Sequence, residues 1–382
     1  MSESPNDIDS NSPQDATTIP TVLEADPNDS DYDEETESLK PDISDYIKQY
    51  GRTYHRYKQG SYPFPNDPRE LERLDEQFEI FMLLSEGRLH FSPTLFPTAI
   101  LDVGTGTGTW AIEMGERYPD ATVTGTDLSP CQPFEVPPNV CFEIDDASED
   151  DWARDLGSFD LIHSSMMLGS FESFRKFVRT SYKYLKPDNG WLECWELDPT
   201  ARCDDNTVRS DSPFQEWEDL LHEAAEEKLD PPRPIRYAHR ISSYMRNAGF
   251  VDVEELKYKL PINSWPGDPK LKELGRRWGE MMLEGMSGFT YKLLGQEGFG
   301  WPRHEIEVRL ALVRKSMKDR NQHAYQNLHV VWGRRPSTEQ EPRIRRQLEQ
   351  KKREREARRR TLASLGAAVD SSAHTGPASA RS

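Results

Sequence analysis

Residues 100–109 have the sequence Ile-Leu-Asp-Val-Gly-Thr-Gly-Thr-Gly-Thr, which is the strongest indication of the fold in this chain. An apolar strand runs directly into three glycines at alternate positions, and a helix-like segment at 107–118 begins behind them. Glycine adopts positive φ angles and has no Cβ, so a ligand can lie directly against the backbone at the N-terminus of the helix. The stretch therefore predicts a strand, a ligand-binding turn and a helix.

The surrounding sequence repeats this alternation of short apolar runs with helical stretches. Runs of six to eight residues, the length of buried strands, lie at 99–104, 122–127, 140–145, 159–164 and 190–197. A helical stretch at 172–186 separates the last two. Alternation at this spacing predicts right-handed βαβ units on a parallel sheet.

Helical patterns also predict helices outside this region, at 70–88, within 214–249, at 270–284 and at 303–318. Gly249 is the predicted cap of the helical region 214–249, and 250–256 and 329–332 are strand-like. An apolar stripe on 70–88 favours packing in the core over a binding role; its members are Leu71, Leu74, Phe78, Phe81, Met82 and Ser85.

The net charge of the 382-residue chain is −19, and it is unevenly distributed. Residues 1–42 carry −12 and residues 334–382 carry +7, so polar ends dilute a body of ordinary composition. The hydrophobic content of 35% is explained by this dilution. An acidic body is a poor non-specific binder of nucleic acid, because affinity for phosphate comes mostly from lysine and arginine.

Several classes of protein are excluded by what the sequence lacks. No apolar run approaches the length of a membrane span, and the N-terminus has no secretory signal pattern. The four cysteines form no Cys-x-x-Cys pair, which argues against a zinc site or a disulfide framework. We therefore expect a soluble intracellular protein without a metal site, in the nucleus or the cytoplasm.

The glycine spacing and the acid ahead of it discriminate between cofactors. A dinucleotide fingerprint, Gly-x-Gly-x-x-Gly, would need its third glycine at position 109, which is Thr109. Asp102 stands two residues before the first glycine, where its carboxylate would repel a pyrophosphate and attract an ammonium group. S-adenosylmethionine offers an ammonium, a sulfonium and a ribose without phosphate. An NAD-dependent oxidoreductase is the weaker alternative.

Further acids follow the next two predicted strands. Asp127 ends the second strand, where a carboxylate can accept both ribose hydroxyls. Asp145, Asp146 and Ala147 follow the third strand, in position to bond an adenine amino group. The crevice at the carboxyl ends of such strands is the usual ligand site. Taken singly, each of these acids could equally be a turn former.

These residues resemble the class I methyltransferases that use S-adenosylmethionine, and more narrowly the fungal family that includes the LaeA-type regulators of secondary metabolism. The resemblance spans Tyr50 to Pro336 and is carried by five segments: 51–77, 100–114, 124–147, 159–171 and 323–336. The segments 51–77 and 135–140 are the most specific. The resemblance implies a Rossmann-like α/β fold, with a mostly parallel seven-stranded sheet, flanking helices, an N-terminal helical segment and a helical insertion before the last strand.

The resemblance also implies roles for individual residues. Asp102 and the three glycines would line the methionine and ribose of the cofactor, Asp127 would take the ribose, and Asp146 the adenine. His163 and Ser164 would border the reacting methyl group. The complete predicted cofactor site is Asp102, Gly104, Thr105, Gly106, Gly108, Asp127, Leu128, Asp145, Asp146, Ala147, His163 and Ser164. Ser165 departs from the family pattern, in which a large residue is common, so the acceptor side could differ.

Methyl transfer needs a general base only when the acceptor atom still carries a proton, as a hydroxyl or an ammonium group does. His163 is the best-placed candidate for the base, although a structural histidine at the end of the fourth strand is at least as well supported. Glu196 and Asp198, just past the fifth strand, are the next candidates. Tyr54 and Tyr62 either fold over the pocket as a lid or pack on the edge of the sheet.

A cluster of large apolar side chains lies in the predicted insertion: Trp217, Trp265, Trp278, Met281, Met282, Met286 and Phe289. Core packing is the favoured interpretation. An apolar, aromatic pocket for the methyl acceptor is the alternative, and it would suit a small hydrophobic metabolite.

The predicted organisation has five parts. They are an acidic disordered tail (1–44), a helical lid segment (45–97), the cofactor-binding core (98–200), a C-terminal part of the domain with the acceptor-side insertion (201–336) and a basic tail (337–382). The run 351–360 has the composition of a nuclear-import signal or of a solvated helix. Two functions follow: a methyltransferase acting on a small molecule or a protein, or a regulatory subunit of a nuclear complex that uses its charged tails to bind proteins.

Overall fold

The computed structural model describes residues 46–58 and 60–373, so the predicted acidic tail at 1–44 lies outside the described residues. The described strands form a short hairpin and a seven-stranded sheet. The hairpin strands are β1 (Ile47–Gln49) and β2 (Arg52–Tyr54). The sheet strands are β3 (Ala99–Val103), β4 (Thr122–Asp127), β5 (Val140–Ile144), β6 (Leu161–Ser165), β7 (Trp191–Arg202), β8 (Val251–Pro261) and β9 (Tyr325–Arg334).

The sheet has the strand order β5-β4-β3-β6-β7-β9-β8. The first five strands in this order are parallel, whereas β9 pairs antiparallel with both β7 and β8. The order reverses on either side of β3, so the carboxyl ends of β3 and its neighbours border a crevice. This topology confirms the predicted Rossmann-like α/β fold with a mostly parallel seven-stranded sheet.

Helices cover both faces of the sheet, and the first of them precedes all the sheet strands in the chain. They are α1 (Pro68–Ser85), α2 (Thr109–Arg117), α3 (Phe174–Tyr184), α4 (Pro213–Glu223), α5 (Ile241–Ala248), α6 (Pro269–Leu294), α7 (Arg303–Lys318) and α8 (Glu341–Ala373). Helix α1 is the predicted N-terminal helix, and α6 and α7 form the predicted insertion before the last strand. None of the helices in the described ranges has the length and hydropathy needed to cross a membrane.

Local sequence signals explain where the helices begin and end. Helix α1 begins after Asp67, whose carboxylate accepts a hydrogen bond from the backbone N–H of Glu70, and Pro68 fills the first turn. Asp268 caps α6 in the same way. Helix α5 ends at Gly249, whose φ of 110° is the left-handed conformation that favours glycine, as predicted.

The pleat of the strands separates two hydrophobic clusters. On β6, Leu161 belongs to the cluster that packs under α1, α2 and α6, while Ile162 belongs to the cluster under α3 and α5. Successive residues of a strand point to opposite faces of the sheet, so this alternation fixes the face of every β6 side chain. It therefore sets which residues of β6 can reach the crevice.

Several elements are longer than the sequence predicted. Helix α6 continues ten residues past 284, and β7 continues to Arg202 because its last residues pair with β9. The domain boundary predicted between 200 and 201 therefore falls within a strand. Glu196 and Asp198, which the sequence placed after the fifth strand, lie inside it.

A buried carboxylate on β7 fixes the segment that leads into the sheet. The side chain of Glu193 is fully buried and accepts hydrogen bonds from the backbone N–H groups of Phe91 and Ser92 and from Trp195 Nε1, at 2.7–3.0 Å. Buried donors that lose their acceptor cost free energy, because water cannot replace it at such a site.

We expect Glu193→Ala to lower the free energy of unfolding by about 3 kcal/mol, since it leaves three donors without an acceptor, two of them buried. Urea denaturation monitored by circular dichroism measures the change. Glu254→Ala, on the exposed face of β8, is the matched control and should change stability by less than about 0.5 kcal/mol. Equal stability of the two variants would contradict this role of Glu193.

Candidate functional site

A cavity opens at the carboxyl ends of β3, β4, β5 and β6 and is closed on its other side by α1 and the segment before it. Many of the residues that the sequence predicted for the cofactor site line this cavity. They are Asp102, Gly104, Thr105, Gly106, Asp127, Leu128, Asp145, Asp146, Ala147 and His163. Residues from four strands are thus brought together at one place.

The glycine turn presents its backbone to the cavity. Gly104 and Gly106 have φ angles of 70° and 58°, which L side chains rarely adopt. A Cβ built on Gly106 would meet only Leu74 Cδ1, at 3.5 Å, so this part of the loop is open to a ligand. Asp127 holds the turn, because its Oδ2 accepts a hydrogen bond from the Gly106 N–H at 3.0 Å.

Gly108 and Ser164 do not line the cavity. Gly108 is the N-cap of α2, and a Cβ there would overlap the ring of Phe142, so packing requires this glycine. Ser164 is fully buried and has the same strand parity as Ile162, which directs its side chain to the opposite face of the sheet. The sequence placed Ser164 correctly at the strand end, but not on the correct face.

Asp102 and His163 form a buried pair on neighbouring strands. His163 Nδ1 lies 2.8 Å from Asp102 Oδ1, and the Thr105 hydroxyl donates to Asp102 Oδ2 at 2.6 Å. The imidazole stacks on Trp110 with ring centroids 3.8 Å apart. A carboxylate can only accept, so Nδ1 carries a proton, and in the neutral imidazole Nε2 is the basic nitrogen. The carboxylate that the sequence predicted would attract an ammonium group is thus already engaged.

The cavity wall is acidic. Its charged side chains are the carboxylates of Glu70, Asp102, Asp127, Asp145 and Asp146, and no lysine or arginine is among the described residues that line it. Such a lining suits a ligand with positive charge and without phosphate, because phosphate groups are usually bound by cations and backbone N–H groups.

The carboxylates at the carboxyl ends of β4 and β5 differ in their environment. Burial raises the pKa of Asp127, against the hydrogen bonds from the N–H groups of Gly106 and Ser129. Burial also raises the pKa of Asp145. For Asp146, burial is outweighed by hydrogen bonds from Ser148 and the ion pair with Lys58 at 3.0 Å, which lower its pKa.

Comparison with known proteins identifies the family. Residues 77–255 match the model of a methyltransferase domain. The chain is 37% identical over 299 residues to the secondary metabolism regulator LAE1 of Cochliobolus heterostrophus, covering 77% of this chain and 95% of that protein. The chain belongs to the family of LaeA-type methyltransferase-domain proteins. This confirms the resemblance seen in the sequence.

Two other relatives carry names that describe an activity. Methyltransferase pytC of Aspergillus terreus is 37% identical over 312 residues, covering 80% of this chain and 93% of that protein. The protein-methionine methyltransferase laeA of Emericella nidulans is 32% identical over 294 residues, covering 76% and 77%. The family therefore includes proteins named as regulators and proteins named as methyltransferases.

Helix α1 of this LaeA-type chain contributes more to the cavity than its sequence pattern suggested. Most of the stripe interpreted as core packing lines the cavity: Leu71, Leu74, Phe78, Phe81 and Met82. Sequence reasoning also missed Glu70 and Gln77 on the same helix. Both could have been found from their positions three or four residues from members of the stripe, since residues at that spacing share one face of a helix.

The two tyrosines proposed as a lid have different surroundings. Tyr62 lines the cavity, together with Pro65 and Asn66, and Asn66 Nδ2 donates to Ser129 Oγ at 3.2 Å. Tyr54 is fully buried under Lys292, whose ammonium lies 4.1 Å from the ring centroid. Tyr62 is therefore part of the cavity roof, whereas Tyr54 packs beside α6.

The two alternative bases of the sequence analysis, Glu196 and Asp198, do not line the cavity. Asp198 is paired with Arg202 at 2.9 Å. Glu196 is fully buried and accepts hydrogen bonds from the Met167 N–H and the Tyr237 hydroxyl, both at 3.0 Å. Burial raises the pKa of Glu196 from 4.5 to about 8.

This pKa makes stability depend on pH. Between pH 5 and pH 8, roughly, an unfolded chain loses the proton of Glu196 while the folded chain keeps it, so the free energy of unfolding falls as pH rises. We expect Glu196→Gln to reduce the decrease in the free energy of unfolding over this pH range by a few kcal/mol. Urea denaturation at several pH values measures it, with the exposed Glu254→Gln as control. A wild-type slope in Glu196→Gln would contradict the expectation.

The aromatic and methionine cluster lines a second cavity and also belongs to the core. Trp217, Trp278, Met281, Met282 and Phe289 border this cavity, and the first four are buried in the main hydrophobic cluster. Trp265 is separate: its Nε1 donates to the carbonyl of Ala324, and its ring stacks on His323. Core packing therefore describes most of the cluster, and the acceptor-pocket alternative stays a prediction for the side chains that line the second cavity.

Proposed function

We propose that this chain transfers a methyl group from S-adenosylmethionine to an acceptor. The observation that carries the proposal is the lining of the first cavity, where five carboxylates and an open glycine turn meet without a lysine or arginine among the described lining residues. A dinucleotide carries two phosphates, and no cationic side chain in the described lining would bind them, although Arg73 and Lys58 pair with Glu70 and Asp146 from behind the wall. The positive charges of S-adenosylmethionine, by contrast, would be attracted.

The residues present fit this cofactor. Asp127 lies beside the open Gly106, and its carboxylate would accept hydrogen bonds from the ribose hydroxyls. Asp145 and Asp146 follow β5, where they would hold the adenine amino group. Lys58 would orient Asp146 through their ion pair. These assignments agree with the roles that the family resemblance implied.

Bound at this site, S-adenosylmethionine would supply an electrophilic methyl group. His163 would act as the general base, accepting the proton of the acceptor at Nε2. Asp102 would hold the ring in the required tautomer and would stabilise the imidazolium that forms, as a carboxylate does beside a catalytic histidine. Trp110 fixes the plane of the ring. The roof made by α1 and Tyr62 would exclude water from the reacting groups.

Calorimetric titration of the purified full-length protein with S-adenosylmethionine, and with NAD in parallel, tests the proposal. Stoichiometric binding of S-adenosylmethionine without binding of NAD is the expected result. Binding of NAD alone would overturn the cofactor assignment. If the protein binds neither S-adenosylmethionine nor NAD, a regulatory function becomes the better candidate.

The second candidate is a regulatory subunit of a nuclear complex, in which catalysis is secondary. It is favoured by the names of the regulator relatives and by helix α8, on which every residue from 351 to 360 is exposed. In this proposal the acidic segment 1–44 and the basic segment 337–382 would bind protein partners. The folded part between them would comprise the lid (45–97), the core (98–200) and the acceptor side (201–336).

Deletion of 343–360 should move a fluorescent fusion out of the nucleus. An unchanged distribution would remove this support.

A further inference from the structure

The second cavity lies between α1, α4, α6 and the inner face of β7, and it borders the cofactor cavity. Tyr62, Leu74, Gln77 and Met166 line both cavities, so they form a shared boundary. His163 stands in the wall of the first cavity. A molecule in the second cavity could therefore present one end to the site of methyl transfer.

The second cavity has no uncompensated charge in its described lining. Its two charged residues are Arg73 and Glu218. Arg73 Nε donates to Glu70 Oε1 at 2.8 Å and Nη1 donates to Gln77 Oε1 at 3.1 Å. Glu218 accepts hydrogen bonds from Gln326 Nε2 at 2.6 Å and from the Ala201 N–H, and burial raises its pKa to about 8, which keeps it mostly protonated at neutral pH. A charged ligand would have no partner there.

The indole N–H groups of the lining are also satisfied within the protein. Trp217 Nε1 donates to Thr290 Oγ1 and Trp278 Nε1 donates to Gln326 Oε1, both at 2.9 Å. The walls therefore present aromatic faces and the thioethers of Met281 and Met282. Methionine adapts its shape to flat apolar ligands and packs well against aromatic rings. Polar groups that could meet a hydroxyl, those of Tyr62 and Gln77, stand at the boundary with the cofactor cavity.

We propose that the second cavity binds the methyl acceptor, and that the acceptor is a small uncharged aromatic alcohol. This proposal rests on the proposed methyltransferase function. The aromatic body would lie between the tryptophans and methionines, with the hydroxyl at the boundary. The O–H bond breaks as His163 Nε2 takes the proton. A bond from the oxygen to the methyl carbon forms while the S–C bond breaks, which gives an aryl methyl ether and S-adenosylhomocysteine, and the imidazolium then loses its proton to water.

The test uses the full-length protein with saturating S-adenosylhomocysteine, and 2-naphthol as the probe. We expect 2-naphthol to bind in calorimetry, and 2-naphthalenesulfonate, the same ring with a negative charge, to bind at least about 10-fold more weakly. Leu221→Trp fills the second cavity without touching the first and should weaken naphthol binding at least about 10-fold, with S-adenosylmethionine binding unchanged. Leu312→Trp, on the exposed face of α7, is the matched control.

Other results would overturn the proposal. Normal binding of S-adenosylmethionine without binding of 2-naphthol, or equal naphthol binding by Leu221→Trp and wild type, would identify the cavity as a packing void only. Transfer of labelled methyl from S-adenosylmethionine in a cell extract to polypeptide alone, undiminished by 2-naphthol, would point to a protein acceptor. Failure of the wild type to bind S-adenosylmethionine would overturn the proposed function as well. Ile235→Phe, which fills the same cavity with a smaller change, replaces Leu221→Trp if that variant does not fold.

Discussion

Asp127→Ala is expected to weaken the binding of S-adenosylmethionine by at least about 100-fold. Two hydrogen bonds from the ribose hydroxyls to this carboxylate would be lost, and hydrogen bonds to charged groups contribute about 1.5–3 kcal/mol each. The carboxylate also accepts the Gly106 N–H, so its removal loosens the turn on which the cofactor would lie. Calorimetric titration of the full-length variant measures the affinity.

Two controls separate binding from folding in this experiment. Asp120→Ala removes an exposed acid just before the same strand and should bind like the wild type. Asp127→Asn keeps one acceptor oxygen and should fall between the two in affinity. Circular dichroism and thermal unfolding show whether Asp127→Ala keeps its fold. Full-strength binding by a folded Asp127→Ala protein would refute the assignment of the ribose to this residue.

His163→Ala is expected to lower the rate of methyl transfer by roughly 10²- to 10⁴-fold, the contribution usual for a general base. Asp102→Asn should have an effect of similar size, because an amide nitrogen facing Nδ1 would favour the tautomer in which Nε2 carries the proton. The assay follows labelled methyl transferred from S-adenosylmethionine into a cell extract, or to 2-naphthol if that probe binds.

A purely structural histidine predicts a different outcome. His163 would then matter only through its packing on Trp110, and a shape-conserving His163→Gln variant would retain the rate. Under the base assignment, His163→Gln stays as slow as His163→Ala, because a glutamine side chain cannot accept the proton of the acceptor. His304→Ala, an exposed histidine on α7, is the matched control for the substitution itself.

The parallel strands β3, β4 and β6 could be predicted from the sequence because they are five or six residues long, mostly buried and bounded by turn residues. The acids at the ends of β4 and β5 lie at the edge of the sheet where the sequence placed them, since a residue at the end of a parallel strand has few other positions. Ser164 shows the limit of this reasoning: strand parity separates the two faces, but one sequence does not say which face carries the cavity.

The roof of the cavity was harder to infer, because it comes from residues far from the motif in the chain. The stripe on α1 is equally apolar whether it faces a core or a ligand, so its periodicity could not reveal that Leu71 and Phe78 line a cavity. The pairing of Asp102 with His163 joins residues 61 positions apart and depends on two strands lying side by side. Likewise, β7 reaches Arg202 only because β9 pairs with it.

The acidic lining of the first cavity has a consequence for how the protein would turn over. Methyl transfer removes the sulfonium charge, so S-adenosylhomocysteine carries one positive charge fewer than S-adenosylmethionine. Carboxylates that attract the cofactor would therefore attract the product less. The side chains that attract S-adenosylmethionine would therefore weaken product inhibition. They would also favour release of S-adenosylhomocysteine without a conformational change.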